Sequence, residues 1–309
     1  MTPYYKTLKL SYDYCSRITK LHAKTFYLSS HFLPQDKKNA CFAVYAFCRY
    51  IDDIIDNSLL KTLSSEDGFN KIIEGVNEWR RQLKSLYNGE FIDHPIMIAL
   101  KDTISKFEIP ENLPNELIDG VFMDISKNRY SNFEDLKIYC YKVASVVGLM
   151  TTHIFGFKDK ETTIHAIDLG IAMQMTNILR DIKEDAGKNR IYIPEEEMRY
   201  FDYSEDDLFN FKINDNFHEL MRYQIQRADS YYDKSEKGIM MINKDCRVTV
   251  GLMSRNYKNI LSVIKKNNLN VYEKRAYVPY YRKIFNIPKV IYEFRKSEVN
   301  TQKSEFNLE

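Results

Sequence analysis

Two short acidic runs hold the side chains in this sequence best suited to chemistry. In RYIDDIID, Asp52 and Asp56 stand four residues apart, so on a helix they project from one face a turn apart. Arg49 and Tyr45 continue that face backward, and Phe42, Val44, Phe47, Ile51, Ile54 and Ile55 make the rest of the helix apolar. Burying carboxylates costs several kcal/mol per ion unless they are compensated, and Arg49 alone cannot neutralise Asp52, Asp53 and Asp56. A bound cation would solve this, and so would a solvated acidic face. In QMTNILRDIKEDAGKNRIYIP, Gln174, Asn177, Asp181 and Asp185 share a second helical face. All four offer oxygen ligands, as a hard cation such as Mg²⁺ requires, and neither run contains the His or Cys that zinc or a redox metal would favour.

Two such helices facing each other would rim a cavity with carboxylates, and Mg²⁺ held by few carboxylates completes its shell with phosphate oxygens and water. Diphosphate is the natural ligand. Lys188 and Arg190, in a loop beyond the second run, could close over it as a basic flap, with Arg49 and Arg180 as further partners, or could be solvated surface charge. His22 has no nucleophile at a convincing spacing and reads as a structural residue or a diphosphate contact. Tyr139, Val143, Val146, Val147 and Met150 form a helical stripe that fits core or pocket. Gly148 beside it costs about 1 kcal/mol relative to Ala in a helix, which points to a close approach there.

The elements that must position these residues are helices. Apolar residues recur at three-to-four spacing, with no sustained strand alternation, which predicts an all-α fold. The pattern predicts helices at about 7–23, 35–58, 69–88, 95–107, 113–127, 134–155, 161–186, 213–241 and 244–267, with a shorter one near 285–295. Pro34 with Asp36 opens one helix, Ser131 with Glu134 reads as a capping box, Ser204 precedes an acidic first turn, and Pro194 marks a break. No flexible linker or internal repeat appears, so residues 1–296 read as one domain, and 297–309 as a polar, disordered tail.

Composition narrows the function classes. Lys+Arg 45 against Asp+Glu 43, without like-charge blocks, gives a nucleic-acid partner little support. The 5 cysteines form no C-x-x-C pair, which argues against disulfides or structural zinc and fits a reducing cytoplasm. The N-terminus lacks an apolar signal core, and no run of about 18 uninterrupted apolar residues suggests a membrane span. With Tyr 23 and Phe 18, aromatics reach 14%, enough to pack helices or to line a cavity for a long apolar substrate.

From about Tyr14 to Lys283 the chain resembles the squalene and phytoene synthase family, on HAKTFYLSSHFLP, YAFCRYIDDIID, YCYKVASVVG and the highly specific QMTNILRDIKEDAGKNRIYIP. The resemblance implies an isoprenoid synthase bundle around a central cavity. It implies Asp52, Asp56, Asp181 and Asp185, joined by Asn177, as ligands of two or three Mg²⁺ ions, for which Mn²⁺ can substitute. Tyr45, Arg49, Tyr139 and Asn177 match positions near the diphosphates and reacting carbons. The substrate-binding set it implies adds His22, Thr25, Phe26, Ser30, Val143, Val147, Gly148, Gln174, Arg180, Lys188 and Arg190. One departure is Leu269, where relatives often carry Tyr.

The family joins two prenyl diphosphates through a cyclopropylcarbinyl diphosphate. AKTFYLSS looks most like phytoene synthases, and a small Ser30 at the tunnel end would leave room for a C20 tail. Geranylgeranyl diphosphate is therefore the expected substrate and 15-cis-phytoene the expected product. The alternative is farnesyl diphosphate giving dehydrosqualene, or squalene if NADPH is used. An elongating prenyltransferase or terpene cyclase is disfavoured by NILRDIKEDAGKNRIY, and a non-catalytic relative by the intact aspartates. Lipophilic substrate and product lead us to expect a cytoplasmic enzyme in peripheral contact with a bilayer, through a surface that the sequence does not single out.

Overall fold

The computed structural model describes the backbone of residues 3–62 and 66–306, and the side chains of 6–54, 70–71 and 73–296. The helices are α1 (Pro3–His22), α2 (Lys24–Ser29), α3 (Gln35–Thr62), α4 (Glu66–Tyr87), α5 (Pro95–Phe107), α6 (Asn112–Ser126), α7 (Phe133–Cys140), α8 (Val146–Phe155), α9 (Glu161–Arg180), α10 (Ile182–Ala186), α11 (Glu195–Tyr200), α12 (Glu205–Phe209), α13 (Asp215–Met241), α14 (Lys244–Lys266) and α15 (Tyr280–Phe306). Among the described residues the only β pairing is an isolated bridge between Phe157 and Ile242. The all-α class follows from the three-to-four spacing of apolar residues in nearly every segment.

One buried cluster packs α1, α3, α4, α5, α6 and α8 through residues such as Phe47, Leu83, Ile96 and Leu117. A second packs α7, α9, α13 and α14 through Ile171, Phe217, Leu220 and Ile264. Fully burying side chains of this size contributes about 1.5–3 kcal/mol each. The helices carrying the two acidic runs, α3 and α9, thus belong to opposite cores, and the space between those cores is the cavity. At the end of α3 remote from Asp52, the Lys37 ammonium donates to the Phe155 carbonyl and to Asp245, each at 3.0 Å, tying α3, α8 and α14 together.

Several boundaries differ from the sequence pattern for identifiable reasons. The helix expected at 134–155 contains a π-helical turn at Tyr141–Ser145 between α7 and α8. Its N-cap is Asn132, whose side chain accepts from the Asp135 N–H at 2.9 Å, one residue past the expected Ser131. Ser204 does form a capping box, with Asp207. The helix expected at 161–186 breaks at Asp181 (φ −108°, ψ 15°). The bonds Asp181 N–H to Asn177 O and Asp185 N–H to Asp181 O, both 2.9 Å, nevertheless carry the helical register across. The chain remains helical to Phe306, past residue 297 where a frayed tail was expected, because no Gly or Pro follows Pro288. The stretch Phe133–Phe155 is long and apolar enough to cross a membrane, yet 56% of its apolar window is buried in the bundle, as expected of a core helix.

α9 lies unusually close to the π turn. A Cβ on Gly170 would stand 2.4 Å from Ser145 Cα, and the Ser145 hydroxyl donates to Ile167 O at 2.8 Å. Gly148 meets α9 in a similar way, its absent Cβ falling 3.2 Å from Ala166 O, which accounts for a glycine inside α8.

Candidate active site

Two connected cavities lie between the cores. The polar one, about 330 Å³, receives Arg49 and Asp52 from α3, Asp124 from α6, Tyr139 from α7, Gln174, Asn177 and Arg180 from α9, and Asp181, Asp185, Lys188, Arg190 and Tyr192 from the segment that follows. The apolar one, about 360 Å³, runs between α3, α8, α9, α13 and α14. Asp52, Val143, Gln174 and Asn177 line both, so the polar mouth opens directly into the tunnel. Phe26, Tyr45, Val147 and Gly148 line the tunnel wall.

Charge in the mouth is finely balanced. Asp181 accepts from Arg180 (2.8 and 2.5 Å) and from Arg275 (2.7 and 2.9 Å), so both its oxygens face two guanidiniums. Burial alone would raise this carboxyl, but the two arginines outweigh it and hold it below the usual carboxylate range. Asp185 lacks such help: burial and then the Asp181 charge push it up to about 7, with Lys188 and Arg190 opposing. Arg49 pairs with Asp53, yet its buried Nε has no partner. Asn177 donates to Gln174 at 3.2 Å while its own buried Oδ1 is left without a donor.

The residues present fit a divalent cation. A buried carboxyl that resists ionisation beside an orphaned amide oxygen is a site short of positive charge, and oxygen donors suit a hard ion. Among the described residues no three carboxylate, His or Cys groups converge tightly enough to hold a metal by themselves. Asp56 lies on α3, but its side chain is outside the described residues.

A tyrosine cluster forms one wall. Tyr139 and Tyr192 stack at 5.1 Å between ring centroids and donate to Asp124 at 3.1 and 2.8 Å. Burial first, then the Asp124 carboxylate, pushes both phenols far above their ordinary range, so they remain protonated donors. The Arg190 side chain is only 8% exposed and donates to Asp124 O at 2.9 Å, so it belongs to the wall and is not part of a mobile flap. Lys188 is exposed at the rim.

Three expected contacts do not reach either cavity. His22 is exposed at the end of α1. Thr25 is half-buried and accepts from Lys283 at 2.5 Å. Ser30 is fully buried, donating to Phe26 O at 2.8 Å, and is not among the residues that line the tunnel. We therefore expect Ser30→Phe to lower stability by about 1–3 kcal/mol through overpacking, read as a lower Tm, without changing substrate preference. A shift in chain length at unchanged Tm would contradict this placement. Leu269 also lies outside, buried at φ 62° just past the end of α14.

The sequence reading missed Asp124, Tyr192 and Arg275. Tyr192 lies inside the second acidic motif and Arg275 inside LNVYEKRAYVPYYRKI, whereas Asp124 is one of three acids on α6, with Glu116 and Asp119, and nothing in its spacing sets it apart.

Comparison with known proteins agrees with this geometry. The sequence pattern describing squalene/phytoene synthases matches residues 19–282, which include both acidic runs. The chain belongs to the squalene/phytoene synthase family. It is 39% identical over 294 residues to a 15-cis-phytoene synthase of Synechococcus elongatus, covering 91% of this chain and 92% of that protein. It is 38% identical to a phytoene synthase of Arthrospira platensis, covering 90% and 91%. A ligand-bound dehydrosqualene synthase superposes with a TM-score of 0.86 at 28% identity, covering 95% of this chain and 99% of that one. Members of the squalene/phytoene synthase family are helical enzymes, and this chain has their architecture across nearly its full length.

Proposed function

We propose that this prenyltransferase condenses two molecules of geranylgeranyl diphosphate head to head into 15-cis-phytoene, releasing diphosphate twice. The observation that carries the reading is the polar mouth opening into an apolar tunnel that α9 lines over several turns. Asn177 at the mouth and Thr162 at the far end lie 15 positions apart on α9 (177 − 162). That is roughly 22 Å at helical rise, room for a long prenyl tail. The cyanobacterial relatives named as phytoene synthases support the same choice.

Asp52, Asp181, Asp185 and Asn177, with Asp56, would hold Mg²⁺. When bound, Mg²⁺ supplies Lewis-acid stabilisation of the departing diphosphate. Arg49, Arg180, Lys188 and Arg190 offer charge-assisted hydrogen bonds to phosphate oxygens. The protonated Tyr139 and Tyr192, which donate to Asp124, line one wall of the mouth. Tyr45, Phe26, Val143 and Val147 wall off the reacting carbons, excluding water from the allylic cation and from the cyclopropylcarbinyl cation that follows.

Purified protein given Mg²⁺ and geranylgeranyl diphosphate is expected to yield a C40 hydrocarbon by mass analysis. Farnesyl diphosphate should be turned over with lower kcat/KM, and NADPH should change neither rate. Preferential C30 formation would overturn this reading and leave dehydrosqualene or squalene as the product.

A further inference from the structure

The C-terminal helix is apolar on two opposite faces. Its inner face packs on α14: Phe294 and Val290 meet Gly251, Asn286 donates to Asn256 at 2.8 Å, and Glu293 pairs with Arg255 at 2.6 Å. Its outer face repeats Tyr281, Phe285, Pro288 and Tyr292 at steps of four, three and four, the spacing of one helical stripe. A soluble helix would show solvent a polar side here, yet Phe285 and Tyr292 are each 67% exposed and Tyr281 55%. Tyr280 and Ile284 widen the ridge toward the start of the helix.

The flanks of the ridge are basic. Arg282, Lys289 and Lys296 follow one edge and Arg295 lies within the stripe, and none has a carboxylate partner among the described residues. Glu293, the one acid among the described side chains of α15, is directed to Arg255. At the seam with α2, Lys283 reaches Thr25, and burial together with the nearby Lys24 holds its ammonium below the ordinary range. Among the described residues, basic charge accumulates on this side of the molecule without a carboxylate beside it.

We propose that the Tyr281–Phe285–Tyr292 ridge, with its basic flanks, docks on the surface of a lipid bilayer that carries anionic headgroups. Aromatic rings with a polar tip favour the boundary between headgroups and acyl chains, and each Lys or Arg near an anionic surface adds attraction that salt weakens. A second copy of this chain fits less well, because a twofold pairing of ridges would set the uncompensated bases of one copy against those of the other. The ridge is one helix removed from the tunnel, whose wall α14 supplies through Val250, Met253 and Tyr257. Docking there would hold the tunnel beside the phase in which long prenyl chains dissolve. The inference stands on the surface itself, whichever prenyl diphosphate is used.

Flotation of the full chain tests this, with vesicles of phosphatidylcholine alone or mixed with phosphatidylglycerol. Wild-type protein is expected to float with the mixed vesicles, less so at high salt, and to remain in solution with the neutral ones. Tyr281→Ser/Phe285→Ser/Tyr292→Ser should lower partitioning by more than about tenfold, and so should Arg282→Gln/Lys289→Gln/Lys296→Gln. Tm and turnover in detergent should stay near wild type for both. Failure of the wild-type chain to float, or flotation of both variants at the wild-type level, would overturn the proposal. So would a loss of dimer in the ridge variant on a sizing column with flotation unchanged, which would give the ridge to a second copy.

Discussion

Asp181→Asn is expected to lower kcat by roughly 10²–10³-fold, the scale found when one group that stabilises developing charge is removed. Asp181 holds both Arg180 and Arg275 and sits beside Asp185, whose carboxyl it pushes up to about 7. Neutralising it removes one ligand charge, releases the two guanidiniums and lets Asp185 ionise more readily. Because Asp185 then gains negative charge, divalent ions should still bind, only more weakly, so raising Mg²⁺ should recover part of the loss. The fold should tolerate the change, since the residue rims a solvent-connected cavity and belongs to neither core. Steady-state kinetics across a Mg²⁺ series, with a melting curve for each variant, give the readout. Turnover within a few-fold of wild type would remove Asp181 from the proposed ligand set. Asp52→Asn, on the opposite helix, is the matching control.

The second large effect is structural. Gly170→Ala should cost about 1–3 kcal/mol or more, because the added methyl would fall 2.4 Å from Ser145 Cα and 2.6 Å from Ser145 N. Backbone atoms cannot swing aside as a side chain can, so α9 and the π turn must separate. That movement opens the junction of mouth and tunnel, where Gln174 and Val143 face each other across the same two elements. The prediction is a lower Tm together with a raised KM, with a smaller fall in kcat than Asp181→Asn shows. An unchanged Tm would mean that the close approach is not maintained in solution.

Much of the fold was legible because helices announce themselves through spacing, and α3, α9, α13 and α14 carry long, regular apolar stripes. Both acidic runs were legible for the same reason: a carboxylate repeating each turn on an otherwise apolar helix conflicts with burial unless something binds it. Other features depended on contacts distant in sequence. Asp124 matters because Tyr139 and Tyr192 converge on it from 15 and 68 positions away. Arg275 matters because the chain returns to Asp181 after 94 residues. Ser30 follows the tunnel-lining Phe26 by one turn, yet its hydroxyl bonds back to the Phe26 carbonyl and tertiary packing buries it completely, which helical spacing alone does not reveal. The break at Asp181 follows no Gly or Pro, and the register is carried through it, so local propensity gave no warning.

The π turn at Tyr141–Ser145 sets the phase of the substrate channel. Tyr139, Val143, Val147, Thr151 and Phe155 all face the cavities, a four-residue spacing carried over seventeen positions (155 − 139 + 1), with Ala144, Gly148 and Thr152 lining beside it. An α-helix advances about 100° per residue, so a four-residue repeat would drift by about 40° at each step and roughly 160° over the series, carrying Phe155 well out of line with Tyr139. Five residues wound at about 4.4 per turn give back roughly 90° of that drift. The wider turn works as a phase corrector, letting one rod present a hydroxyl to the polar cavity and hydrocarbon to the apolar one. Shortening the segment by one residue would preserve the composition of the wall while rotating its reactive end away from its apolar end.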